Sequence, residues 1–191
     1  MTLRVTLDTN VLARHLVRLQ EAAAELDVEM AYTTVTLREN ARDAGQDEIV
    51  LAETGVYDES HYDSGAVYAS PPVFESVVFD ESRFGYAAFG GIQSQSILDS
   101  ILALIASGSF PKRGERDELT KTQRAQLRDA MILEAHTREG RDVLVSNDVK
   151  AFIGKTGERR MLLEAVCRTR ILTIDEFLDY LAELRVTLRP F

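Results

Sequence analysis

Cysteine and histidine are scarce in this sequence: one cysteine, Cys167, and three histidines stand among 191 residues. A single cysteine excludes an internal disulfide, so we expect a protein of the reducing cytoplasm. Zinc sites are usually built from cysteine pairs and histidines, and the sequence gives no support for one. Cys167 follows Val166 at the end of a predicted helix, where we expect a packed thiol.

Long apolar runs are missing as well. No run approaches the roughly 18 to 20 residues that a membrane-spanning helix needs, so we expect no membrane partner. The chain opens directly on an apolar strand pattern at residues 3–7, and we therefore expect no signal peptide. The length suits a single domain, 1–191, with a sizeable insertion.

Basic residues are few in the first half of the chain, and the net charge is -9. Residues 1–100 hold 6 of the 22 basic residues, whereas residues 101–191 hold 16 and carry a net charge of +2. Phosphate contacts dominate nucleic-acid affinity, so the second half is the better candidate for such contacts. One basic cluster is either a solvated helix face and loop or a phosphate-tracking patch. It comprises Lys112, Arg113, Arg116, Lys121, Arg124 and Arg128.

Apolar periodicity predicts strands that alternate with helices. The strands are predicted at 3–7, 30–33, 143–145 and 171–174. Four helices are predicted to begin at a capping residue. They run from Thr9 or Asn10 to about 26, from Thr34 or Thr36 to about 45, from Thr120 or Thr122 to Gly140, and over 176–184 after Asp175. Three further helices are predicted at 95–105, 148–152 and 157–166. This order predicts an α/β fold of three layers, with a mainly parallel sheet between helices on both faces.

The central segment, about 46–110, is the predicted insertion. Residues 57–62 and 79–84 are similar to each other at an offset of 22 residues, with an Asp-Glu-Ser core in both. Two copies are too few for a solenoid, so we interpret them as two similar pieces of one insertion. Their aromatic residues either pack the insertion or contact a substrate or partner.

Two carboxylates follow predicted strands directly. Asp8 comes after the first strand, and Asp148 comes shortly after the strand at 143–145. Ligands of open parallel sheets bind beyond the carboxyl ends of the strands, so neighbouring strands would bring both acids into one crevice. Two bare carboxylates about 4 Å apart repel by about 4 kcal/mol at an effective dielectric of about 20. A bound cation relieves that repulsion, and oxygen ligands favour Mg²⁺ or Mn²⁺.

The sequence also resembles the PIN-domain family of 5′-nuclease-like proteins. The resemblance lies in LDTNVL at 7–12, TTVTLRE at 33–39, LRDAMILEAHTREGRDVLVSND at 127–148 and ILTIDEFLDYL at 171–181, in that order. It covers both ends of the chain, about two thirds of it. It implies a metal-dependent endoribonuclease, similar to the toxins of bacterial toxin–antitoxin pairs or to nucleases that process ribosomal RNA. The insertion at 46–110 is longer than in compact toxin members, so the toxin role is less well supported than the fold.

The resemblance also implies the site. By motif position, Asp8, Glu39, Asp129 and Asp148 match the four acids of the family in order. We expect Asp8, Asp129 and Asp148 to bind Mg²⁺ or Mn²⁺, and Glu39 to hold a second ion or orient the attacking water. The small polar residues beside the acids would orient the carboxylates or a metal-bound water; they are Asn10 and Ser146. Taken alone, Glu39 and Asp129 are ordinary surface acids.

Three nearby residues have other expected roles. Glu134 is five residues from Asp129, on a different helix face, and is left out of the site. His136 is expected to be structural. Asn147 either caps the following helix or touches substrate.

Several alternatives remain open. A haloacid-dehalogenase phosphatase needs a second acid two residues after the first, where this chain has Asn10. A non-catalytic PIN fold that binds RNA or a protein as a scaffold is the main rival, and DNA is the rival substrate. A toxin would have an antitoxin protein as its partner, and the family resemblance also implies a homodimer.

Overall fold

The computed structural model describes residues 2–36, 75–76, 87–88, 92–108, 110–112, 115–116 and 119–187. Their backbone forms an α/β fold around a four-stranded sheet. The strands are β1 (Leu3–Leu7), β2 (Val28–Tyr32), β5 (Val143–Val145) and β6 (Arg170–Leu172), in the spatial order β2-β1-β5-β6. All three pairings are parallel, as the alternation of strands and helices predicts.

Glu29 explains why β2 begins earlier than predicted. The sequence predicts a strand at 30–33, whereas β2 begins at Val28 and includes this acid. In the structure its carboxylate accepts a hydrogen bond of 2.8 Å from Arg141 Nη1. A second parallel pair joins β3 (Glu75–Ser76) to β4 (Ala87–Ala88), inside the predicted insertion. The rest of that insertion up to residue 91, including both similar segments, lies outside the described residues.

The helices follow the predicted order. They are α1 (Thr9–Ala23), α2 (Ile92–Ile105), α3 (Lys121–Arg138), α4 (Glu158–Cys167) and α5 (Ile174–Thr187), with a π-helical turn at Val149–Ile153. Residues 34–36 are also helical, and the continuation predicted to about 45 lies outside the described residues.

Helix capping agrees with the sequence at α3 and differs at α1 and α5. Thr120 caps α3 through a capping box with Gln123. Helix α1 is capped by Asp8 rather than by Thr9 or Asn10. Helix α5 begins after Thr173, whose Oγ1 accepts a hydrogen bond from Glu176 N at 3.2 Å, so the predicted Asp175 cap is wrong. At both α1 and α5, the residue that directly follows the strand supplies the cap, one or two positions before the expected residue.

Two buried clusters form the core. One packs Leu144 and Ile171 of the sheet against α2, α3 and α4. The other packs alternate strand residues, such as Val5 and Val145, against α1 and α5. Side chains alternate between the two faces of the sheet, so successive residues of a strand belong to different clusters. None of the described helices is long and apolar enough to cross a membrane.

Candidate functional site

Asp8 and Asp148 lie at the carboxyl ends of two adjacent strands. Strands β1 and β5 pair from Val5–Val143 to Leu7–Val145. Asp8 continues this contact, because its backbone N–H donates to Val145 O at 3.1 Å. The two strands are neighbours, which was the condition for bringing the acids together, and both acids stand at one edge of the sheet.

Backbone and side-chain hydrogen-bond donors hold the Asp8 carboxylate. Its Oδ1 accepts from Thr9 N at 2.8 Å. Its Oδ2 accepts from Asn10 Nδ2 at 2.8 Å and from Ser146 Oγ at 2.6 Å. The residue is 4% exposed, so the carboxylate sits in a buried frame that fixes its orientation.

Ser146 connects the two acids. Its hydroxyl donates to Asp8 Oδ2 and accepts from Asp148 N at 3.0 Å. Asp148 Oδ1 accepts from Ala151 N at 2.7 Å, which caps the π-helical turn. Asp148 Oδ2 makes no hydrogen bond to the part of the chain that the structure describes, and the residue is half-buried. One acid is therefore enclosed, and the other retains an acceptor atom for a ligand.

Two asparagines extend this network to α5. Asn147 N donates to Asn10 Oδ1 at 3.3 Å. The Asn147 side-chain oxygen accepts from Ile174 N at 3.1 Å, at the first residue of α5. The expected cap of the following turn by Asn147 is wrong, because Asp148 caps that turn; Asn147 instead bonds the first residue of α5.

A group of threonines at the end of β2 was not predicted as part of the site. Thr33 Oγ1 lies 3.2 Å from Thr36 Oγ1 and also accepts a hydrogen bond from Thr36 N. Thr9 Oγ1 donates to Thr36 Oγ1 at 3.5 Å, which joins this group to the start of α1. Thr33 and Thr36 are fully buried. The repeated threonines of the segment 33–36 were the available signal, because buried hydroxyls need partners.

The other two acids of the predicted site are Asp129 and Glu39. Asp129 lies on α3 and is half-buried. Glu39 lies outside the described residues. Among those described, no three histidine, cysteine, aspartate or glutamate side chains form a group that could hold a metal ion. The structure therefore pairs Asp8 with Asp148 and leaves the grouping of all four acids as a prediction.

Glu134 and His136 occupy buried positions on α3. The Glu134 side chain is fully buried, with Arg138 Nε 3.5 Å from its Oε1. His136 lies between Thr6 and Thr169, at 2.9 and 2.6 Å. Burial, with smaller contributions from nearby arginines, lowers the pKa of His136 to about 3. Cys167 is also buried, which raises the pKa of its thiol.

Arg116, one member of the predicted basic cluster, has structural partners. Its Nη2 donates to Asp99 Oδ1 at 3.2 Å, and its Nε donates to Pro111 O. The guanidinium also lies over the Phe110 ring. Lys121 is exposed at the start of α3, and Arg113 lies outside the described residues.

Comparison of the chain with models of known families, with characterised proteins and with solved structures gives no match.

Proposed function

We propose that the protein is a metal-dependent endoribonuclease with a PIN-like, three-layer arrangement. The observation that supports this most directly is the Asp8–Ser146–Asp148 connection at the carboxyl edge of β1 and β5. The two core clusters on α2–α4 and on α1 with α5 support the three-layer arrangement. The family resemblance supplies the substrate class, RNA.

The donor set suits a hard divalent cation. Asp8, Asp148 and Ser146 offer only oxygen atoms at this edge, and oxygen ligands favour Mg²⁺ or Mn²⁺ over zinc. Asp148 Oδ2 is available to such an ion, and Asp129 and Glu39 are the proposed further acids. A bound ion would lower the pKa of a water molecule and stabilise charge on the phosphate oxygens during in-line attack.

The residues around the acids keep them in position. Ser146 and Asn10 both donate to Oδ2 of Asp8, and Thr9 N donates to Oδ1, so the orientation of the carboxylate is set before any ligand arrives. The cap that Asp148 makes to Ala151 does the same for the second acid. Glu39 would orient the attacking water or hold a second ion.

The biological setting belongs to the same proposal. We propose a cytoplasmic nuclease, acting as a homodimer, either as a toxin with an antitoxin partner or as an RNA-processing enzyme. The long segment at 46–110 favours neither role, although its helix α2 packs Leu98, Ile101 and Leu102 into the first core cluster.

Cleavage of labelled RNA by the Asp8→Asn variant tests the proposal. We expect a loss of at least about a hundredfold in rate, because the substitution removes one ligand charge while it preserves the shape of the side chain. Asp179→Asn is the matched control, since Asp179 is an exposed acid on α5. It should cleave at the wild-type rate, and EDTA should stop cleavage by both the wild type and this control.

The competing functions give different results in the same assay. A folded wild-type protein that binds RNA but cleaves neither RNA nor DNA, with or without Mn²⁺, would be a scaffold. Preferential cleavage of DNA in a mixed-substrate competition would overturn the substrate class alone. Full activity of Asp8→Asn would overturn the assignment of the site.

A further inference from the structure

A cleft of about 920 Å³ lies at the opposite end of the sheet from Asp8 and Asp148. It forms where α3 and α4 end, β5 and β6 begin, and α2 starts. The residues important to its chemistry are Ser94, Arg138, Arg141, Glu164, Arg168 and Arg170. None of the expected site residues lines it.

The charge of the cleft is opposite to that of the chain. Four arginines and two acids, Asp142 and Glu164, line it, whereas the whole chain carries a net charge of -9. Each of the two acids accepts a hydrogen bond of 2.8 Å from a backbone N–H, one from Arg4 and the other from Ile171. These two acids therefore have structural roles. The four arginines leave the cleft with a net positive charge.

The four arginines divide into two pairs. Arg138 lies near Glu134 and Glu139, and Arg141 donates to Glu29, so both are neutralised by acids. Arg168 and Arg170 are exposed and have no carboxylate partner within the described part of the chain. Arg170 instead stacks over the Tyr180 ring, 4.6 Å from its centroid. Two cations thus remain for a ligand.

The backbone of Arg168 is an independent indication. This residue caps the end of α4 with a φ of +52°, in the left-handed region that disfavours side chains with a Cβ atom. Gly140 also lines the cleft and has a φ of +59° one residue after the C-cap of α3, so a second left-handed residue lies at this cleft. The left-handed backbone at Arg168 carries a conformational cost, and the side chain at that position bears a charge at the cleft.

The first turn of α2 adds hydrogen-bond donors. Gln93 and Ser94 line the cleft at the amino end of this 14-residue helix, where backbone N–H groups lack partners within the helix. Ser94 is a buried polar residue of the cleft lining, 7% exposed. Helix amino ends favour anions, and guanidinium groups bind phosphate through two parallel hydrogen bonds.

We propose that this cleft binds the phosphate group of a small phosphorylated ligand, with Arg168 and Arg170 as its contacts. The site does not depend on the proposed nuclease function, because β5 and β6 separate it from the acids. Three residues of strand span about 10 Å. The cleft volume accommodates a mononucleotide, so the ligand is either a nucleotide or a free polyphosphate.

Calorimetric titration in EDTA with pyrophosphate, 5′-AMP and adenosine tests the site without metal chemistry. We expect saturable binding of the two phosphate compounds and none of adenosine. Tighter binding of 5′-AMP than of pyrophosphate identifies a nucleotide site, and the reverse identifies a polyphosphate site. Asp8→Asn should bind both probes as the wild type does, which keeps this result separate from the nuclease test.

Arg168→Gly separates binding from folding. Glycine relieves the left-handed backbone, so this variant should unfold at a temperature no lower than the wild type. Its affinity for pyrophosphate should nevertheless fall about tenfold, which is the loss of about one charge-assisted hydrogen bond. Arg18→Gln is the control, since Arg18 lies on the surface of α1 outside the cleft. Wild-type affinity in Arg168→Gly, or no saturable binding of either phosphate probe to the wild type, would overturn the proposal.

Discussion

Single hydroxyl groups connect distant parts of this chain. Ser146 bridges two acids through one oxygen atom, and the Asp8 partner is 138 residues away in sequence. Thr169 Oγ1 likewise lies 2.6 Å from His136 Nε2 and donates to Asp142 O. A hydroxyl both donates and accepts, so one small side chain satisfies two buried groups. The buried serines and threonines thus fix the relative positions of strands and helices.

The hydroxyls of Thr169 and Thr6 lie within hydrogen-bond distance of the two ring nitrogens of His136. In a neutral ring one nitrogen donates and the other accepts, and a hydroxyl can take either role. The neutral ring therefore satisfies both of its nitrogens inside the core, and protonation would place a charge there.

Stability should therefore fall as the pH drops through the range in which unfolded histidine titrates. The pKa of His136 is about 3 in the folded protein, compared with about 6.5 in an unfolded chain. Between these values the unfolded state binds a proton that the folded state does not. From pH 7 to pH 5 this costs about 2 kcal/mol of unfolding free energy. Urea denaturation of His136→Gln should show a correspondingly smaller loss over that interval.

Thr169→Val distinguishes titration from the loss of a hydrogen bond. This variant keeps the buried histidine and removes one of its partners, so it should be less stable at both pH values. The difference between pH 7 and pH 5 should remain as large as in the wild type. If the difference in stability between pH 7 and pH 5 is as small in Thr169→Val as in His136→Gln, the threonine contact, and not the proton, sets the pH dependence.

At the scale of elements, α5 shows how a helix begins at a strand end. Thr173 and Glu176 form a reciprocal pair, with Thr173 N donating to Glu176 Oε2 at 2.8 Å. Arg160 of α4 donates to both oxygens of the same carboxylate. Partial burial acts to raise the pKa of Glu176, but the hydrogen bonds from Arg160 and Thr173 hold it below its usual value. One acid thereby joins β6, α4 and α5.

Alanine substitutions should separate the observed cap from the predicted one. Thr173→Ala should lower the free energy of unfolding by about 1 kcal/mol, the usual loss for an N-cap hydroxyl. Asp175→Ala should lower it by only a few tenths of a kcal/mol, because Asp175 contributes only a helix-end charge and an exposed 3.8 Å contact to Arg18. Chemical denaturation measures both, and a larger loss for Asp175→Ala would contradict this capping assignment.

Local pattern was sufficient for some elements and insufficient for others. The apolar runs at 3–7 and 143–145 predict β1 and β5, but their adjacency is a feature of the strand order that no local pattern gives. The start of β2 was missed because Glu29 is tolerated through Arg141, a partner 112 residues away. The Ser146 hydroxyl was predicted as a polar neighbour of the acids, but its bridging geometry depends on contacts across the sheet. The left-handed Arg168 has no local signal at all.

At the scale of the molecule, the sheet has two chemically different ends. Carboxylates stand at the carboxyl ends of β1 and β5, and arginines stand where β5 and β6 begin. The β5 strand has only three residues, so these ends are about 10 Å apart. A cation at one end and a phosphate at the other would each bind the folded state, and each would stabilise it separately.

Divalent cations should therefore raise the unfolding temperature of the wild-type protein. At a free Mn²⁺ concentration of about 100 times its Kd, binding to the folded state adds about 2.7 kcal/mol. For a chain of this size that corresponds to a shift of roughly 5 to 10 °C. Asp148→Asn should abolish the shift, because it removes the acid whose Oδ2 is available, whereas Asp179→Asn should retain it. Thermal unfolding with and without Mn²⁺ measures this independently of any activity, and an equal shift in both variants would mean that the ion binds elsewhere.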